Sequence, residues 1–175
     1  RQAEGAGMVV DALAAATTDD PASESAANQD MLTSTINGLV ARYGLQDEKL
    51  GMVVAGAVLK HARDFNLTRE VVLGSALDNE TPAFDLQQAC GTGLAAAVQV
   101  ADAISLGRID AGIAGGTDTT SDAPLAVNDE LRKTLIKVNN AKSTPEMLKL
   151  LGSVRPSQLA PEQPQNGEPR TGLSM

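Results

Sequence analysis

The chain has 175 residues, enough for one well-buried domain with an extension, and 42% of them are hydrophobic while only 2% are aromatic. Trp is absent, so Ala, Val, Leu and Gly must fill the core, and backbones must approach closely. The formal charge of −8, with no Lys/Arg cluster, excludes nucleic acid as the main partner, and the single cysteine excludes an internal disulfide.

No apolar run approaches the roughly 18 residues that cross a bilayer. Residues 1–20 are acidic where a leader peptide would be basic, so a soluble, cytoplasmic protein is expected. Within residues 1–27, Met8, Val9, Ala12 and Leu13 can form one short helix face, and the polar run from Thr17 to Ser25 reads as a linker.

Asn28 is placed to cap a helix on which Met31, Leu32, Ile36, Leu39, Val40 and Tyr43 recur at helical spacing, with Gly44 as its stop. Gly51 to Leu59 is a short, apolar, glycine-punctuated run that reads as a buried strand leaving into a loop. That loop carries the sole histidine, His61, which reads as a solvated or hydrogen-bonded side chain more readily than as a catalytic base. Thr68 to Leu77 reads as a helix and Ala83 to Gln88 as a strand.

Cys90 follows that strand and opens a run, Leu94 to Ile104, that leaves almost no polar face, which predicts an Ala-rich helix enclosed on all sides. Gly107 ends it, and Ile109 to Ala114 returns as a strand before Gly115-Gly116. Helix and strand thus alternate with connections long enough for crossovers, the pattern of a layered α/β fold with a mostly parallel sheet. Beyond Pro124 the spacing predicts helices over 128–138 and 145–151 and then a Pro-rich segment.

The chemistry of the chain centres on Cys90. The first-turn N–H groups and macrodipole of a helix favour the ionised, nucleophilic form of a cysteine placed there, whereas a lone cysteine elsewhere is commonly a small buried hydrophobe. Backbone N–H groups of Cys90 and Gly91 are the candidate donors to an oxyanion. Gly115-Gly116-Thr117-Asp118-Thr119-Thr120-Ser121 lacks a nucleotide-loop pattern; its glycines suit tight backbone packing beside the cysteine, with Asp118 and the hydroxyls satisfying the loop. No spacing of metal ligands is present, and Asp102 and Asp110 are too far apart to form a carboxylate pair.

Set side by side, Cys90-Gly91 with its helix, Gly115 to Ser121 with Asp118 as the acid, Asn66 with Arg69, and the tail from Arg170 to Met175 resemble the thiolase family of acyl-CoA acyltransferases. The likeness runs from about Ala27 to Met175 and is greatest to the subgroup that includes bacterial fatty-acid-oxidation thiolases. It implies a thiolase-like layered α/β fold represented by its first half only. Residues 1–27 would be an extension or linker, 28–123 the N-terminal core, and 124–175 part of the loop region over the coenzyme A site.

The resemblance implies further that Cys90 takes an acyl group from an acyl-CoA, in thiolysis of a 3-ketoacyl-CoA or in condensation of acetyl-CoA. Ser174 and Met175 would contact substrate, and no cofactor would be needed beyond the coenzyme A thioester itself. The alternatives are a 3-ketoacyl synthase-like condensing enzyme and an inactive fragment with a packing role. The family's opening strand, its Gly-His-Pro histidine and its second cysteine have no counterpart in these 175 residues. The chain alone is therefore expected to lack turnover and to work as a homo-oligomer or when completed by another thiolase segment. The fold's five-stranded sheet, short of its first strand, would expose an edge and favour association.

Overall fold

The computed structural model describes residues 27–119, 122–161, 168 and 170–173. These fall into two units, one ending at Ala123 and one beginning at Pro124. The helix expected around Met8 to Leu13 lies outside the described residues.

In the first unit, α1 (Asn28–Tyr43) leads to β1 (Met52–Ala55), α2 (Leu67–Gly74), β2 (Ala83–Asp85), α3 (Thr92–Ser105) and β3 (Gly112–Ala114). The strands form a wholly parallel sheet in the order β2-β1-β3, with Val53 opposite both Ala83 and Ile113. Three strands are therefore described where the family resemblance implied five. The chain steps from β1 to β2 in one direction and returns past β1 to reach β3. Right-handed crossovers then require α2 and α3 to lie on opposite faces of the sheet.

The side chains of β1 obey that division. Val53 and Ala55 point into a cluster with Leu32, Ile36 and Val40 of α1 and Leu67, Val71 and Val72 of α2. Val54, between them, points the other way against Ala96 and Val100 of α3. Strand alternation thus turns one four-residue run into the floor of two cores. Both are built from aliphatic residues, as the scarcity of aromatics required.

Three expectations change in detail. Asn28 does not cap α1: Ala27 occupies that position, and Asn28, 1% exposed, sends its Nδ2 to the Leu59 carbonyl at 2.7 Å. A tertiary acceptor has taken the side chain that local capping would use. Gly44 does end the helix, in the left-handed conformation with φ 65°. The Ala-rich helix is not enclosed, because only its Thr92, Ala96, Val100 and Ala103 side is buried, while Leu94 and Val98 are 73% and 51% exposed. Apolarity on every side of a helix records what could be covered, and the described residues supply one sheet to cover it. The strands are also shorter than expected: β2 ends at Asp85, whose side chain turns to another task, and β3 begins only at Gly112.

The second unit holds α4 (Asp129–Asn139) and α5 (Thr144–Gly152). Asn128 caps α4 by accepting from the Glu130 N–H at 2.9 Å, and Ser143 caps α5 by accepting from Glu146 N–H. Neither helix buries a residue, and Leu135, Ile136, Leu148 and Leu151 remain exposed. No helix among the described residues is long and apolar enough to cross a membrane.

The division of α3 into a packed and an open side is testable. Leu67→Ala, at a fully buried position of α2 that serves as the reference, should lower the unfolding free energy by about 2–5 kcal/mol in urea titration. Leu94→Ala should change it by less than about 0.5 kcal/mol. A cost at Leu94 equal to that at Leu67 would mean that its side of α3 is packed in solution.

Candidate active site

The three parallel strands end on the same side of the sheet, and their exits converge. Leu86, just past β2, donates its N–H to Ala55 at 2.9 Å, and Gly115, just past β3, donates to Val54 at 3.0 Å. Gly56 continues β1 between them, and its carbonyl accepts from the Thr117 N–H at 3.0 Å. A Cβ at position 56 would fall 1.9 Å from the Leu86 carbonyl oxygen and 2.9 Å from Cγ2 of Thr92, so only glycine fits. A Cβ at Gly116 would come 2.9 Å from the Gly56 carbonyl oxygen. Of the two glycines after β3, Gly116 therefore packs against the β1 exit, whereas a Cβ at Gly115 would meet nothing within 4 Å. In open parallel sheets this carboxyl end of the strands is where ligands bind.

Cys90 sits on a tight elbow at that end, between β2 and α3. Ala89 adopts a left-handed conformation with φ 44°, a strained state for a residue with a Cβ. The turn is closed by the Gly91 N–H donating to the Gln88 carbonyl at 2.9 Å and the Thr92 N–H to Ala89 at 3.1 Å. The Thr92 hydroxyl completes it, donating to the Ala89 carbonyl at 2.7 Å and accepting from the Gln88 N–H at 2.9 Å. Thr92 itself is only 5% exposed. The elbow lifts Cys90 into solvent two residues before the first residue of α3, with Gly91 at the cap position. The reading of this lone cysteine as a buried hydrophobe is thereby removed. Gly91, expected to help hold an oxyanion, has its N–H already committed to Gln88.

Beside the elbow, the Asp85 carboxylate accepts from the Thr68 N–H at 2.8 Å and from Leu67 at 3.3 Å, and pairs with Lys60 Nζ at 2.9 Å. It does for α2 what the Asn66 side chain, at the cap position, does not. Burial pushes this carboxyl up, but the Thr68 and Lys60 contacts outweigh burial and hold it below the ordinary carboxylate range. Arg69 reaches the Thr81 carbonyl at 3.1 Å, a structural contact. His61 is half-buried, its Nε2 2.7 Å from the Asp122 carbonyl oxygen, in keeping with the hydrogen-bonded role expected of it.

Among the described residues no imidazole or carboxylate is bonded to Cys90, and no group of three His, Cys, Asp or Glu side chains could hold a metal. Ser174 and Met175 lie outside the described residues. Sequence reasoning missed Gly56, Ala89, Thr92 and Asp85. The glycine within an otherwise apolar strand exit and the threonine opening the helix were the available signals for two of them.

A parallel α/β sheet that presents a solvent-facing cysteine on an elbow before a helix defines a cysteine-bearing α/β protein. Comparison with known proteins narrows that class. The family model described as the thiolase N-terminal domain matches residues 8–154, and the chain belongs to the thiolase family. It is 38% identical over 146 residues to a 3-ketoacyl-CoA thiolase of Photorhabdus laumondii, covering 83% of this chain and 34% of that relative. A 3-ketoacyl-CoA thiolase of Pectobacterium carotovorum is 37% identical over 137 residues, 78% of this chain and 31% of its own length. The chain thus spans about a third of these curated relatives. Among solved structures, the Bacillus anthracis acetyl-CoA acetyltransferase shares the fold with a TM-score of 0.57 and 20% identity, over 61% of this chain and 27% of that one. The sequence-based family and fold class are therefore correct.

Two substitutions test the geometry of the site. Gly56→Ala should lower stability by about 1–3 kcal/mol through overpacking, read by urea titration, and should displace the Leu86–Thr92 segment in amide chemical shifts. Asp85→Asn should lower stability by about 2 kcal/mol at neutral pH, since it weakens charge-assisted hydrogen bonds. Because the folded carboxyl titrates below its unfolded value of about 3.9, this difference should be complete above about pH 5. It should close as pH falls through the unfolded value towards the folded one. A difference independent of pH down to full protonation would contradict the ion pair.

Proposed function

We propose that the chain carries the nucleophile of an acyl-CoA acyltransferase and that Cys90 accepts the acyl group. The observation that supports this most directly is the exposure of Cys90 on a strained elbow at the carboxyl end of a parallel sheet, in a chain of the thiolase family. The Cys90 thiolate attacks the thioester carbonyl carbon, giving a tetrahedral oxyanion. Collapse re-forms the carbonyl and expels coenzyme A as its thiolate, so that one S–C bond forms as another breaks.

The Cys90 N–H is the oxyanion donor supplied by the elbow; the Gly91 N–H joins it only if the Gln88 turn opens. The names of the two thiolase relatives favour thiolysis of a 3-ketoacyl-CoA over condensation as the direction of use. In thiolysis the same thiolate attacks the 3-keto carbon. The bond to the neighbouring carbon breaks, acetyl-CoA leaves after its carbanion is protonated, and the shortened acyl chain stays on sulfur until a second coenzyme A removes it. Proton transfer in that sequence needs acid–base groups beyond the described contacts of Cys90. Contact of substrate by Ser174 and Met175, as the family resemblance implies, belongs to the same reading.

Incubation with acetyl-CoA and no carrier protein should add one acetyl group to Cys90, seen by peptide mass spectrometry, and Cys90→Ser should abolish the thioester. Cys90 should also react with iodoacetamide near neutral pH faster than free cysteine. Absence of the adduct together with an ordinary alkylation rate would sink the proposal, and labelling only from an acyl carrier protein would favour a 3-ketoacyl synthase.

A further inference from the structure

We infer that Asp118 is a positioning residue for the cysteine site, acting through the loop that leaves β1; the inference rests on Cys90 being the nucleophile. Asp118 belongs to an exposed segment after β3, yet its carboxylate is not idle. Oδ1 accepts from the N–H groups of Val58 at 3.0 Å and Leu59 at 2.7 Å, and Oδ2 accepts from Val58 at 2.9 Å. Two consecutive backbone donors on one ionised carboxylate form a charge-assisted clamp, stronger than neutral loop hydrogen bonds.

The clamped loop is the one that seats the elbow. Gly56 at its start touches the Leu86 carbonyl and Thr92, the two ends of the segment that carries Cys90. The loop is anchored on its other sides as well: Asn28 holds the Leu59 carbonyl, and Lys60 pairs with Asp85 just before Leu86. The chain after β3 returns to the same loop four residues later, where Asp122 meets His61 and Arg63. Asp118 therefore completes a frame in which the β1 exit is fixed from the β3 side by a carboxylate and from the β2 side by an ion pair. Removing it leaves two loop N–H groups without their acceptor. Val58 and Leu59 are then free to withdraw, and the contact at Gly56 that sets the position of the elbow relaxes.

The clamp makes a specific demand on chemistry. Asp118→Asn retains Oδ1, which alone reaches both N–H groups, so it should preserve the elbow. Asp118→Ala removes the acceptor, as does Asp118→Ser, whose shorter side chain does not span the distance. Val71→Ala, a cavity in the α1–α2 core, is the control for stability loss without clamp loss.

Two readouts are taken well below every melting midpoint: amide hydrogen exchange at Leu86, Gly91 and Thr92, and iodoacetamide alkylation of Cys90. Asp118→Ala should speed exchange at these amides about tenfold and slow alkylation about tenfold, with Asp118→Asn within about threefold of wild type in both. Val71→Ala should move neither. Should the alanine variant not fold, the serine variant carries the same expectations. Wild-type elbow exchange in the alanine or serine variant, or an equal change in Val71→Ala, would overturn the inference. If wild-type Cys90 itself alkylates like free cysteine, the nucleophile reading fails separately, and hydrogen exchange still decides whether the clamp positions the elbow.

Discussion

The structure of the site depends on one close approach, between the backbone at Gly56 and the Leu86 carbonyl with Thr92 behind it. Any side chain there would push the β2 exit away from the β1 exit, and the elbow bearing Cys90 would lose its seat. Around this contact lie the turn out of β2 and the hydroxyl of Thr92, which serves that turn from inside. The strain at Ala89 persists because the surrounding hydrogen bonds over-determine it.

The aliphatic composition serves the same geometry. Val53, Val54 and Ala55 are nearly inaccessible, and their alternation assigns α1 with α2 to one face and α3 to the other. Small residues let α3 lie close enough for its first turn to reach Gly56, so the packing of the core and the position of the cysteine are one problem. The carboxylates then tie exits together: Asp85 joins the end of β2 to the start of α2 and to Lys60, and Asp118 joins the β3 exit to the β1 loop. An acidic chain thus uses part of its excess charge on backbone donors and on a lysine.

Much of this was legible in the residues. Apolar periodicity placed α1 and its Gly44 stop, and the alternation of helix with short apolar runs gave the parallel sheet. Cys90 between a strand and an Ala-rich run indicated a cysteine at a strand-to-helix join, and with Asp118 after two glycines it carried the family resemblance. The cap of α1 was not legible, because Asn28 serves a carbonyl 31 residues away, and local rules cannot see such a partner. Nor was the open side of α3, since hydrophobicity states a preference for burial and does not supply the surface that satisfies it.

What the sequence determined by itself was therefore the set of elements, the family and the place of the one cysteine between a strand and a helix, all properties of neighbouring residues and their order. The tertiary structure alone decided that Ala89 turns left-handed, that the Gly91 N–H is occupied, that Gly56 is the pivot and that Asp85 and Asp118 hold loops from other strands. Each of these is an interaction between segments brought together only when three strand ends meet, and the distance at which backbones stop is set by atoms far apart in the chain.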